Sequence, residues 1–167
     1  MKKFLIAILM MAPLSLCAQK FAHFNSADII PAMKEYTSAM EELQNMEKQY
    51  QDDLKLMQDE LQKKSEEYQK EQANLLENVR ARREQELNDL YTRLQQSYQD
   101  NQAALQKAEA EKMNVIREKV MAVVKKIGED GGYVYIVDTS SGAVITYVST
   151  SLSTDITDQL KKELGIQ

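Results

Sequence analysis

The amino-acid sequence predicts an α+β protein: a long antiparallel coiled-coil helical hairpin projecting from a small β-strand base that oligomerises. Three observations predict it. Residues 32–127, 96 in all, contain no glycine and no proline; all five glycines follow Ile127, and both prolines lie at or before Pro31. Within that stretch apolar residues recur at spacings of four and three, the heptad pattern of helices packed along a seam. The segments on either side are short and carry clustered Phe, Tyr, Val and Ile, as strands do.

The first 18 residues read as an export signal. Lys2 and Lys3 precede an apolar run from Phe4 to Leu16, and small Ala18 precedes polar Gln19. The run is short for a membrane span, and cleavage after Ala18 is expected. Cys17 at the end of such a signal could instead be acylated, but that processing favours a small residue before the cysteine, where Leu16 stands. A soluble periplasmic form is therefore expected over a lipid-anchored one. The mature chain then holds no cysteine, which removes disulfides and thiolate metal sites.

The base is expected to comprise residues 19–33 and 128–167. Phe21–Phe24 reads as a strand, Asn25-Ser26 as helix-starting residues, and a short segment follows to Met33. Gly131-Gly132 ends the long helix. Tyr133–Val137 and Ala143–Val148 are rich in β-branched and aromatic residues, with Asp138–Gly142 as a hairpin loop between them. Both faces of Tyr133–Val137 are apolar, so cover on both sides is expected. A final helix runs from Ile156 to Leu164, capped by Asp155, with Asp158 in its first turn and Gly165 at its end.

The arm is expected over residues 34–127. Its outgoing seam runs through Tyr36, Met40, Leu43, Tyr50, Leu54, Met57, Leu61, Tyr68 and Leu75, with polar interruptions at Glu47, Lys64, Glu71 and Asn78. The return seam runs through Leu87, Leu90 and Leu94, slips between Tyr98 and Met113, and finishes through Met113, Ile116, Val120, Val123 and Ile127. Unbroken, the segment would be a rod of about 144 Å at about 1.5 Å per residue. Charge favours folding back: residues 34–79 carry six basic and twelve acidic side chains, residues 80–127 ten and seven. Antiparallel neighbours of opposite net charge attract, by a few tenths of a kcal/mol, roughly, for each exposed pair. The turn is expected near residues 74–80, where Asn74 and Asn78 tolerate left-handed geometry.

A base of this size without disulfides or metal is marginal alone, and its strand edges need partners. Self-association is expected, built on Phe21, Phe24, Tyr133, Tyr135, Val137, Ile145 and Tyr147; three copies would close the edges, while the residues themselves require only more than one.

The chemistry-bearing residues are few. His23 is the single histidine, so neither a Cys/His nor a Ser/His/Asp set can be argued, and His23 reads as an ordinary strand residue. Gly128–Gly132 lacks the spacing and lysine of a phosphate loop. The adjacent acidic pairs Glu41-Glu42, Asp52-Asp53 and Glu66-Glu67 diverge on a helix and read as a solvated face. No enzyme, cofactor or metal is expected. Without Lys2 and Lys3 the chain holds 19 basic and 26 acidic residues, which argues against nucleic acid. Arg80, Arg82 and Arg83 cluster beside the expected turn. They could touch lipid head groups, but pairing with Glu77, Glu84 and Glu86 at helical spacing is the simpler reading. Met57, Tyr68, Tyr91 and Tyr98 are the candidates for adaptable apolar contacts along the arm.

Together the signal, the Phe21–Asn25 strand leading into Ser26–Met33, the breaker-free hairpin and Gly132-Tyr-Val-Tyr-Ile-Val-Asp138 resemble the Skp/OmpH family of periplasmic chaperones. Asp155-Ile156-Thr157 followed by Leu160 resembles the block that opens the family's last helix. The resemblance implies a trimer with a β-barrel-like body and arms around a cavity, acting as an ATP-independent holdase for unfolded outer-membrane proteins. The chain departs from better-known members in being acidic rather than basic, so electrostatic capture of acidic clients or lipopolysaccharide does not carry over. The rival expectation is a structural spacer or assembly scaffold of the envelope. A holdase keeps apolar side chains exposed along its arms; a spacer buries its seam.

Overall fold

The computed structural model describes residues 19–141 and 145–166. The expected signal at 1–18, with Cys17, lies outside the described residues, as do residues 142–144 of the expected loop and second strand. In chain order the elements are strand β1 (Lys20–Phe24), helix α1 (Ser26–Ile29), helix α2 (Lys34–Glu71), helix α3 (Glu77–Gly131), strands β2 (Tyr133–Asp138) and β3 (Ser153–Asp155), and helix α4 (Thr157–Glu163). Short 3-10 turns occupy Ile30–Ala32 and Gln72–Asn74. The chain divides into two compact units, Ile30–Lys119 and the residues before and after it.

In the unit Ile30–Lys119, α2 and α3 run antiparallel. Lys119 pairs with Glu35, Lys112 with Glu42, and the Tyr68 hydroxyl donates to Glu84. Seven residues forward on α2 thus match seven back on α3, and Leu76 lies midway between Tyr68 and Glu84. The reversal falls there. Helix α2 gives way to the 3-10 turn, Leu75 is extended (φ −80°, ψ 142°), and the Leu76 carbonyl accepts from Val79 and Arg80 at 2.9 Å each as α3 begins. The left-handed asparagine expected at this turn is not found: no described residue other than glycine has positive φ, and Asn78 lies inside α3. A tightened last turn followed by one extended residue reverses the chain without it.

The seam follows the heptads with local substitutions. Ala39 and Leu43 are buried on α2, and Leu90 and Ile116 on α3. Where the strict repeat placed Glu47, its neighbour Met46 turns inward and Glu47 stays exposed. In the slipped stretch of α3 the half-buried positions are Asn101, Ala104, Leu105, Ala108 and Lys112, with Ser97 just before it. Apart from Leu105 those side chains are small or polar, and the four-residue steps from Ala104 onward shift the buried stripe around the helix.

In the other unit, β1 is the middle strand of three, ordered β2-β1-β3, and pairs in parallel with both neighbours. The expected hairpin of Tyr133–Val137 with Ala143–Val148 is therefore corrected: β2 lies beside β1, and residues 145–148 are not a strand. Asp138 shows why. Its carboxylate accepts from the backbone of Ser26 (3.1 Å) and Ser140 (2.9 Å), while Thr139 N–H donates to Phe24 O (2.8 Å). The chain after β2 is tied to the end of β1 instead of turning back on itself. Burial raises the Asp138 pKa, but the hydrogen bonds from Ser26 and Ser140 outweigh it and the net shift is downward.

One face of the sheet carries Ala22 and Phe24, both buried, and Ile136, whose Cδ1 approaches Gly128 of α3. With them are packed Ile29, Val120, Val124, Ile127, Ile156 and Leu160. Val124 is more deeply buried than Val123, which the heptads had placed in the seam. At Gly132 (φ +64°) the backbone is left-handed, and a Cβ on Gly131 would fall within the Tyr133 ring, so this turn needs both glycines. Asp155 Oδ1 accepts from Thr157 N–H (2.9 Å) at the start of α4. Gly165 and Ile166 donate to Lys162 O and Lys161 O at its end, with Gly165 left-handed, a Schellman closure.

Two outcomes follow from this packing. Leu160 is wholly buried, so Leu160→Ala is expected to cost about 2–5 kcal/mol, read as a shift in the urea midpoint. The Glu35 and Glu42 pKa values are lowered, chiefly by the hydrogen bonds from Lys119 and Lys112. Their stabilisation is present above the ordinary carboxylate pKa and is lost as pH falls through the lowered folded values. Thermal melts between pH 5 and pH 3 should therefore fall less steeply for Glu35→Gln/Glu42→Gln than for the unaltered chain, by a small margin because both carboxylates are solvent-screened.

Candidate functional site

Tyr91, Tyr98 and Leu105 stand at seven-residue intervals on α3 and so share one face. Leu90, beside Tyr91, is buried in the seam, whereas Tyr91 and Tyr98 are 50% and 60% exposed. Along this flank the two helices leave a pair of open grooves. One, of about 380 Å³, is lined by Met40, Leu43, Gln44 and Glu47 of α2 and by Leu105 and Glu109 of α3. The other, of about 340 Å³, is lined by Leu54 and Gln58 and by Leu94, Gln95, Tyr98 and Gln99. Both have an apolar floor and a rim of amides or carboxylates. They open along α3 between Leu94 and Glu109, where the half-buried Ser97, Asn101, Ala104 and Ala108 bring little apolar volume to the seam.

Of the four arm candidates, Tyr91 and Tyr98 lie on this flank. Met57 and Tyr68 are half-buried on α2, eleven residues apart and hence on one face of that helix. The Tyr68 hydroxyl is held by Glu84, and that bond raises the phenol pKa. Leu105 was missed because it falls inside the slipped stretch. Its seven-residue spacing from Tyr98 was the available signal. At the reversal, Arg80 lies 3.6 Å from Glu77 and Arg82 3.9 Å from Glu86, with Arg83 half-buried and Leu76 exposed. Arg80 and Arg82 are thus placed against the carboxylates of their own helix.

The sheet offers a second apolar surface on the face opposite Ala22 and Phe24. Phe21 and Tyr135 stack with ring centres 6.3 Å apart and planes 7° from parallel. They border a groove of about 240 Å³ whose other walls include Val137, Ile145, Tyr147 and Leu152. Tyr135 is 67% exposed and Tyr147 82%, so the cover expected on both sides of β2 is absent on this side within one chain. The residues grouped for the base therefore divide. Phe24 is spent on the chain's own core, Tyr133 is half-buried, and Phe21, Tyr135, Val137, Ile145 and Tyr147 lie on the open side.

His23 borders the same groove. Its Nδ1 is 2.9 Å from Ser153 Oγ, and its Nε2 is 4.0 Å from Asp155 Oδ2. Sequence reasoning found no serine or aspartate to set beside His23, since both stand 130 residues or more away and meet it only through the β1–β3 pairing. The geometry is a tie between strands. The carboxylate is beyond hydrogen-bond distance of the imidazole, and its other oxygen holds Thr157 N–H. The Asp155 pKa is lowered, first by the bonds from Thr157 and then by the charges of His23 and Lys161. Among the described residues no three His, Cys, Asp or Glu side chains converge as a metal site would require, and no helix is long and apolar enough to cross a membrane.

None of the curated proteins compared with the chain matches it. A family model does: that of the outer membrane protein (OmpH-like) family, over residues 20–164. This span takes in β1, both long helices, β2, β3 and all of α4, and the chain belongs to that family.

Proposed function

We propose that this protein is a holdase chaperone: it binds unfolded outer-membrane proteins in the periplasm and prevents their aggregation without ATP. The observation that carries this reading is the apolar flank of the hairpin, where Tyr91, Tyr98 and Leu105 stand beside two unfilled grooves. A spacer or scaffold that uses the same helices for fixed partners would close that seam. Here the seam narrows to alanine, serine and asparagine and leaves leucine, methionine and tyrosine in reach of solvent. Such side chains give adaptable contacts of low specificity. Many weak contacts along one client then sum by avidity, with no single tight site.

Self-association belongs to the same proposal. The open face with Phe21, Tyr135 and Tyr147 and the outer edge of β2 are surfaces that a second and third copy would cover, in keeping with a trimer of shared bases on residues 19–33 and 128–167 and arms on 34–127. Family membership and the lysine-led apolar run before Ala18 support the periplasm as the compartment. The acidic excess supports apolar capture over electrostatic capture, and head-group contact by Arg80, Arg82 and Arg83 is secondary because Glu77 and Glu86 already neutralise two of them.

Three measurements check the proposal. Stoichiometric mature protein should delay aggregation of a urea-unfolded β-barrel membrane protein in the absence of nucleotide; no delay would sink the chaperone reading. Tyr91→Ser/Tyr98→Ser should bind that client about tenfold more weakly, or about 1.4 kcal/mol, with unchanged helix content because both rings are at the surface. Light scattering on the mature chain at micromolar concentration should give a trimer mass that Tyr135→Glu reduces. A monomeric unaltered protein would overturn the shared base.

A further inference from the structure

The two grooves of the hairpin differ in the charge of their rims. The one built on Leu54 and Leu94 is edged by the amides of Gln58, Gln95 and Gln99, and Gln95 donates to the Tyr91 hydroxyl at 2.8 Å. The one built on Met40, Leu43 and Leu105 is edged by two exposed carboxylates, Glu47 from α2 and Glu109 from α3. Among the described residues neither carboxylate belongs to an ion pair. Glu47 accepts from the side-chain amide of Gln51 at 3.1 Å. The lysines of the same stretch of α3 are engaged elsewhere: Lys107 with Glu111 at 3.9 Å, and Lys112 with Glu42. Lys48 follows Glu47 by one position, and adjacent residues do not face each other on a helix. An apolar floor of about 380 Å³ thus carries two unmatched negative charges at its mouth.

We infer that this groove is the selective subsite of the arm: it docks an apolar client side chain flanked by lysine or arginine, whose cation lies against Glu47 and Glu109. The inference rests on the holdase reading and names the client segment that the flank prefers. Burial against Met40, Leu43 and Leu105 supplies the attachment, since exposed charge pairs contribute little by themselves. The carboxylates decide which apolar residue is accepted. A cation beside it gains two partners, an acidic neighbour meets two like charges, and an uncharged neighbour meets neither effect. Lysine and arginine suit the site because their apolar stems lie along the groove wall while the charged end stays in water. The amide-edged groove has no such preference, because a primary amide both donates and accepts. One flank therefore holds a charge-blind subsite and, nearer the start of α2, a cation-selecting one.

The test uses the full mature chain and three synthetic peptides of one otherwise uncharged sequence. Each carries a central tyrosine-leucine pair flanked on both sides by lysine, by glutamine or by glutamate. Binding is read by NMR titration at the Met40 methyl group, which lines this groove and not its neighbour. The lysine peptide should bind about fivefold more tightly than the glutamine peptide at low salt, the size expected of two exposed ion pairs. The glutamate peptide should bind more weakly than either. These differences should close at about 1 M salt, where the screening length is about 3 Å. Glu47→Gln/Glu109→Gln should bind the lysine and glutamine peptides alike. Equal binding of all three by the unaltered chain, a lysine preference that survives the double substitution, or no response at Met40 to any peptide overturns the inference. A chain that delays aggregation of the β-barrel client yet binds the three peptides alike keeps the holdase reading and loses this one; a chain that gives no delay loses both.

Discussion

Strand β1 lies between β2 and β3 and is parallel to both. Parallel neighbours cannot be joined by a tight turn; the chain must leave one end of the first strand and re-enter beside its other end. Here it leaves at Phe24 and re-enters at Tyr133, opposite Lys20. A helix between them could not be a single rod. Two helices in antiparallel register solve the problem, because each residue gained on α2 is given back on α3. The pairing of Glu35 with Lys119 marks where α3 runs past the start of α2. The last turns of α3, from Val120 to Gly131, belong to the other unit, and there Val120, Val124 and Ile127 become core.

The same register explains why the hairpin is unevenly packed. Leu43, Leu90 and Ile116 bury well, but between Leu94 and Glu109 the half-buried side chains of α3 are, apart from Leu105, small or polar, and open grooves lie along that stretch. Close packing is what makes a coiled coil rigid, and its local absence leaves apolar surface in reach of solvent. In the other unit the asymmetry lies between the two faces of the sheet. One is filled by Ala22, Phe24 and Ile136, and the other leaves aromatic rings exposed.

Much of this was legible in the residues. The breaker-free stretch, the heptads and the opposite charges of the two limbs foretold a helical hairpin. Asp155 and Gly165 foretold both ends of α4. Tyr91 and Tyr98 were visible as arm candidates because they sit beside the seam without joining it. Ile145, Tyr147 and Val148 misled, since a strand-like composition measures how well side chains suit a half-buried surface and not whether the backbone joins a ladder. They supply side chains to a groove wall while β3, polar and three residues long, takes the place beside β1.

By itself the sequence determined what depends on neighbours a few residues apart: where helices can run, which stripe of each is apolar, and where glycine must stop them. These follow from periodicity and local backbone sterics, which act over one or two turns. Only the tertiary structure decided the strand order, the open face of the sheet, and the meeting of His23 with Ser153 and Asp155. Those depend on backbone hydrogen bonds between residues more than a hundred positions apart, and a ladder bond leaves no mark on the side chains that it aligns.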